Sequence, residues 1–291
     1  MGRTALIVGI VSTLIILSLI GVIIFENWQR TNEMPPTTNG STNDAFGSAF
    51  FVRDSEFTTP TIPSESWGVE SWNKNPESIS QIENGVLHLF YNEKTSSTYG
   101  NSGAFQGRHP ADDVMNQSLL VGPSSQAASS SEYVVFPKNL SSGKFWVKTR
   151  FKIDRMGFNS LPSAVNLGIT LMCAVNNKTY SRETQPLWLD IYFSGYLLYK
   201  TYIETLSKDV HYVTYVDDGI HAGYYVGEIK PRDFGKWAEV TADLGDYISK
   251  TLNLITEVNI ETIRVYGFIL FVECSGAYAE VEYDYVETYV T

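Results

Sequence analysis
Cysteine and histidine are scarce in this 291-residue chain, with two and four residues respectively. A zinc or iron–sulfur site built on those side chains needs three or four ligands at close spacing. Cys173, Cys274, His88, His109, His211 and His221 show no such spacing. Basic charge is also short: 21 Lys and Arg against 32 Asp and Glu leave a net −11. Phosphate backbones repel such a surface, which excludes nucleic acid as a partner. No Gly-rich phosphate loop precedes a helical segment, and no Gly-x-Ser-x-Gly elbow is present. Charged residues of both signs make up only 18% of the chain, beside 43% hydrophobic residues and 18 Tyr. That mixture suits a β-rich extracellular domain with a sizeable core.

One long apolar run stands out, Ala5 to Phe25, which carries no charge. A helix of ~20 such residues spans a bilayer, whereas a cleaved signal peptide has a core of ~7–15 followed by a small-residue site that Glu26-Asn27-Trp28 lacks. Arg3 precedes the run and Glu26 follows it, so residues 1–4 are expected in the cytoplasm and 5–25 as a retained signal anchor. Residues 26–63, rich in Thr, Pro and Ser, read as a spacer outside the cytoplasm; the apolar cluster Phe46 to Val52 within it is a segment that could dock on the domain as a strand. Residues 64–291 form the domain. Asn39, Asn116, Asn139 and Asn177 each begin an Asn-x-Ser/Thr sequon, so glycosylation is expected of an exported chain. The lone cysteine pair is then expected to form a Cys173–Cys274 disulfide.

From residue 64 the pattern is strands between turn-rich loops, with one short helix over 243–254, where Leu244, Tyr247, Ile248 and Leu252 recur at helical spacing. Many strands and one helix predict an all-β, two-sheet jelly-roll sandwich. Alternation places Phe145, Val147, Phe151 and Ile153 in the core, and Trp146, Lys148, Arg150 and Lys152 on the other face. In the last strand Val281, Tyr283 and Tyr285 are expected inward, with Glu280, Glu282 and Asp284 outward. The basic and acidic stripes predict that these two strands pair. Leu189, Ile191 and Phe193 suit the core, leaving Trp188, Asp190 and Tyr192 together on the opposite face. Ile263 to Val272 is apolar on both faces and so belongs at the centre of a sheet.

The segments Glu83 to Leu89, Ser142 to Lys152, Trp188 to Tyr192 and Val281 to Val286, in this order, resemble the concanavalin-like lectin and glucanase superfamily, in particular glycoside hydrolase family 16 and its non-catalytic relatives. The resemblance implies a jelly roll over about residues 64–290. The catalytic pattern of family 16, Glu-x-Asp-x-x-Glu, is not intact here: Asp190 is retained, but Trp188 and Phe193 or Ser194 stand where its glutamates would be. Phe271-Val272-Glu273-Cys274-Ser275-Gly276 is also similar to the acid/base segment of glycoside hydrolase family 12. That resemblance implies Glu273 as the acid/base and Asp190 as the nucleophile, although family 12 uses Glu at the latter position.

Three functions stay open on the sequence. The leading expectation is a membrane-anchored, lectin-like domain with Trp188, Asp190 and Tyr192 as its sugar-binding face, since sugar rings pack on aromatic planes while carboxylates take their hydroxyls. The alternative is a polysaccharide hydrolase using Glu273 and Asp190. The third is a structural cell-surface protein that assembles through sheet edges. No cofactor is implied; Asp112-Asp113 and Asp217-Asp218-Gly219 are either calcium ligands or turn residues.

Overall fold
The computed structural model describes residues 56–58, 62, 67–70, 77–107, 134–137, 145–176, 184–199, 202–216, 219–255 and 262–290. The anchor 5–25, nearly all of the spacer, the four sequon asparagines and both Asp-Asp pairs lie outside these residues. Among the described residues no helix is long and apolar enough to cross a membrane.

Among the described residues fourteen strands build two sheets. They are β1 (Gly68–Glu70), β2 (Ile79–Glu83), β3 (Val86–Asn92), β4 (Gly100–Gly107), β5 (Val134–Pro137), β6 (Phe145–Phe158), β7 (Ser163–Asn176), β8 (Thr184–Leu198), β9 (Ile203–Thr205), β10 (His211–Val216), β11 (Gly219–Tyr225), β12 (Ala238–Asp243), β13 (Thr262–Ser275) and β14 (Ala277–Val290). The larger sheet runs β1-β4-β13-β7-β8-β11-β10, with β5 on β13 and β9 on β8; the smaller runs β12-β6-β14-β3-β2. As the apolar pattern of Ile263–Val272 predicts, β13 lies between β4 and β7. The turn joining β2 to β3 is Asn84-Gly85, both at positive φ (54° and 76°), which a two-residue hairpin requires.

The inner faces meet in one core. Phe151 and Phe193 from opposite sheets stack at 5.7 Å, and the buried Tyr283 donates its hydroxyl to Phe271 O at 3.1 Å. The predicted helix, α1 (Leu244–Leu254), starts where Asp243 accepts from the Asp246 N–H. Leu244, Ile248 and Leu252 are all buried, and each such side chain contributes ~1.5–3 kcal/mol.

The paired stripes form as expected. β14 lies antiparallel to β6, with Lys152 on Glu282 at 2.6 Å, Arg150 on Asp284 at 3.0 Å and Arg155 on Glu280 at 2.5 Å. Lys148 turns instead to Glu239 of β12 at 3.3 Å. Tyr285 is a correction: an irregularity between Tyr283 and Tyr285 inserts an extra residue, so Tyr285 bonds Glu239 on the outside while Val286 and Thr288 are buried.

The disulfide is a second correction. Cys173 lies opposite Val265 and Cys274 opposite Val165, and both are buried free thiols. Val265 and Cys274 are nine residues apart along β13, on the order of 30 Å at ~3.3 Å per residue, where a disulfide tolerates ~7 Å between Cα atoms. Their sulfurs donate to the carbonyls of Leu171 and Tyr91 instead. Burial holds both thiols well above their ordinary range, which leaves them unreactive.

Candidate functional site
The outer face of the larger sheet carries the polar groups that the core does not need. Trp188, Asp190 and Tyr192 of β8 point there together, as alternation predicts, and Glu273 of β13 shares the face. Two rows of side chains cross the strands.

The first row runs from Tyr212 on β10 over Gly223 on β11 to Asp190 on β8 and Thr170 on β7, positions in mutual register. A Cβ at Gly223 would stand 2.2 Å from the Tyr212 ring, so only glycine lets that ring lie across the strand. The Tyr212 hydroxyl thereby donates to Asp190 Oδ2 at 2.9 Å, joined by Tyr192 at 3.3 Å, while Thr170 donates to Oδ1 at 2.5 Å. Both oxygens of Asp190 are therefore engaged. Burial raises its pKa, and the bonds from Thr170 and Tyr212 oppose that rise. Trp188, half-buried, stacks on His221 with centroids at 6.2 Å and forms the far end of the face.

The second row is Asn101 on β4, Glu273 on β13, Asn166 on β7 and Gly195 on β8. Here Gly195 plays the part of Gly223: a Cβ would meet the Tyr225 ring at 2.1 Å. Tyr225 reaches over it to donate to Asn166 Oδ1 at 3.0 Å, and Asn166 Nδ2 donates to Glu273 Oε1 at 2.8 Å. Glu273 is half-buried, and its pKa is pushed up to about 7 by burial and then by the charge of Asp190, with the Asn166 bond pulling the other way. Tyr99 is 45% exposed, yet burial and then the Glu273 charge raise its pKa to about 12.

Between the rows lies a packed layer. Tyr192 stacks on Tyr225 at 4.6 Å and meets Phe271 edge-on at 5.8 Å, with Phe105, Met172 and Ile269 buried around them. Asp190 and Glu273 therefore stand on one face but not opposite each other. Their partners on β7, Thr170 and Asn166, are four residues apart, ~13 Å along the strand at ~3.3 Å per residue. The β8 position level with Glu273 is Gly195, which offers no side chain. Among the described residues no group of His, Cys, Asp and Glu could hold a metal ion.

Sequence reasoning singled out Asp190, Trp188, Tyr192 and Glu273 but not Asn166, Asn101, Thr170 or Tyr212. The signal for the last was present, as an isolated glycine inside a strand marks a close approach, and Gly195 and Gly223 both serve that purpose.

No protein-family model matches the chain, and no curated protein matches its sequence. Solved structures similar to it include the family 11 xylanase from Neocallimastix patriciarum, at 10% identity and a TM-score of 0.43 over 78% of this chain and 93% of that one. A metagenome-derived glycoside hydrolase family 12 endoglucanase gives 12% and 0.42 over 78% and 99%. An endoglucanase from Rhodothermus marinus gives 11% and 0.39 over 74% and 86%. At TM-scores below 0.5 these likenesses decide neither activity nor ligand, and the two-sheet sandwich stands on the strand order and register of the chain itself.

Proposed function
We propose that this chain is a carbohydrate-binding protein whose sugar site is the outer face of the larger sheet, displayed outside the cytoplasm by the anchor at residues 5–25. The observation that carries the reading is the row Asn101–Glu273–Asn166. It sets a carboxyl between two carboxamides, with the half-buried Trp188 at the far end of the face. Carboxamides and a carboxyl exchange hydrogen bonds with sugar hydroxyls, and aromatic rings take the C–H faces. The ionisable groups that meet across this face are the carboxyls of Glu273 and Asp190, so an uncharged glycan fits it better than an acidic one. Calorimetric titration with neutral oligosaccharides tests the reading: Asn166→Ala and Trp188→Ala should each weaken binding several-fold, and unchanged affinity in both rejects it. For the anchor, amino-terminal sequencing of the membrane fraction should begin within residues 1–4; a start near residue 30 rejects retention.

A second reading, hydrolysis of a glycan, is favoured by one observation: a Glu273 pKa of about 7 suits a general acid at neutral pH. It is weakened by Asp190, whose oxygens are taken by three hydroxyl donors and which sits well along the strand from Glu273. Retaining hydrolysis wants its carboxyls ~5–5.5 Å apart. If the chain is a hydrolase of this kind, Glu273→Gln and Asp190→Asn each abolish release of reducing ends while leaving substrate bound. Turnover that survives both substitutions ends that reading.

A further inference from the structure
Three of the exposed large apolar side chains stand together at one end of the sandwich. Tyr99 (45% exposed) precedes β4, Leu161 (42%) sits in the β6–β7 turn, and Tyr202 (56%) lies in the turn from β8 to β9. The strands whose ends they cap, β4, β7 and β8, lie in the larger sheet, with β13 between β4 and β7. Tyr99 and Tyr202 are thus about three strand spacings apart, ~14 Å at ~4.8 Å each, with Leu161 between them.

The rim is held in place. Asn159 and Ser160 both donate their backbone N–H to Gly276 O, at 2.7 and 3.0 Å, tying the β6–β7 turn to the β13–β14 turn. Asn159 Nδ2 donates to Glu93 O at 2.8 Å, which ties in the segment leading to Tyr99. Tyr199 N–H donates to Tyr202 O at 2.9 Å, and the two rings stack at 4.6 Å. A tyrosine pair stacked and fastened in this way presents an aromatic plane to solvent with little ordering left to do on binding.

The rim also continues the face. Glu273 is two residues from the end of β13, Asn101 is the second residue of β4, and Tyr99 immediately precedes that strand. The structure assigns the Tyr199–Tyr202 pair, with Leu161 and Tyr99, as a second sugar subsite, which an extended neutral polysaccharide reaches as it crosses the strand ends beyond the Asn101–Glu273–Asn166 row. This inference rests on the carbohydrate reading above and adds the class of ligand, a chain rather than a single sugar or a disaccharide.

Ligand length is the test. Cellobiose, cellohexaose, xylobiose and xylohexaose are titrated into the full-length chain, its Tyr202→Ala variant and its Leu161→Ser variant, with a thermal melt to verify folding. Tyr202→Ala should weaken a hexasaccharide on the order of 3- to 10-fold, the scale of one lost aromatic contact, and leave the disaccharide unchanged. Leu161→Ser should act in the same direction and more weakly. Equal loss at both lengths, or no loss at either in variants that still fold, overturns the rim subsite while the face remains a sugar site. If the wild-type chain binds none of the four, both readings fall together. If Tyr202→Ala instead converts a sedimenting dimer to a monomer with sugar affinity untouched, the rim is a contact between copies and the subsite is rejected.

Discussion
Glu273→Gln should flatten the pH dependence of stability between pH 5 and 8. Burial and the Asp190 charge lift the Glu273 pKa from its ordinary 4.5 to about 7 in the folded chain. An acid raised on folding binds more protons folded than unfolded, so the unfolding free energy falls as pH rises through that window. The contribution is complete below about 4.5, is lost progressively up to about 7 and stays level above it. The difference, about 2.5 pH units at ~1.36 kcal/mol each, comes to ~3 kcal/mol, and partial solvent contact at Glu273 trims it toward ~2 kcal/mol. Glutamine keeps the Oε1 that accepts from Asn166 and never ionises. The variant should therefore match wild type near pH 4.5 and exceed it by ~2–3 kcal/mol at pH 8, a melting shift on the order of 5–10 °C for a domain of this size. Urea denaturation of both chains across the pH range measures the difference curve, in which titrations shared by the two largely cancel. Parallel curves, or a wild type that gains on the variant as pH rises, refute the placement of Glu273 in an apolar, like-charged setting.

Denatured protein should titrate two free thiols, and a reducing agent should leave the melting temperature unchanged; a reductant-sensitive melt refutes the separation of Cys173 from Cys274. Gly223→Ala should push the Tyr212 ring off its path and cost on the order of 1–3 kcal/mol, since a Cβ there would stand 2.2 Å from that ring; a variant of wild-type stability contradicts the crossing. Lys152→Met should destabilise by no more than ~1–2 kcal/mol, because the ammonium contacts Glu282 at 2.6 Å, Asp154 at 3.0 Å and the Trp237 ring but stays partly hydrated. A larger loss by chemical denaturation would mean that this stripe does more than set register.

Alternation was the readable layer of the sequence. It separated Leu189, Ile191 and Phe193 from Trp188, Asp190 and Tyr192, and the charge stripes correctly joined β6 to β14, because a buried face tolerates no slip in register. What alternation misses is what breaks it. The extra residue before Tyr285 turns that ring outward, and no local signal in Tyr-Asp-Tyr marks the insertion. β4 (GNSGAFQG) reads as a loop by composition, yet its Gly100 lets the Tyr91 ring lie against the backbone, and Gly68 of the neighbouring β1 does the same for Phe105. Asn166 escaped because its meaning depends on β13 beside it. The disulfide failed for a similar reason: two cysteines on neighbouring strands can still face opposite ends of both.

Hydrogen–deuterium exchange of the full-length chain, with and without a saturating neutral hexasaccharide, tests the central claim most directly. If the outer face of the larger sheet is the sugar site, protection appears around Tyr99–Gly103, Ser163–Gly168, Ser194–Tyr196 and Phe271–Ser275. Protection confined to the outer face of β6, β14 and β3, or none at a concentration where binding is saturated, contradicts it.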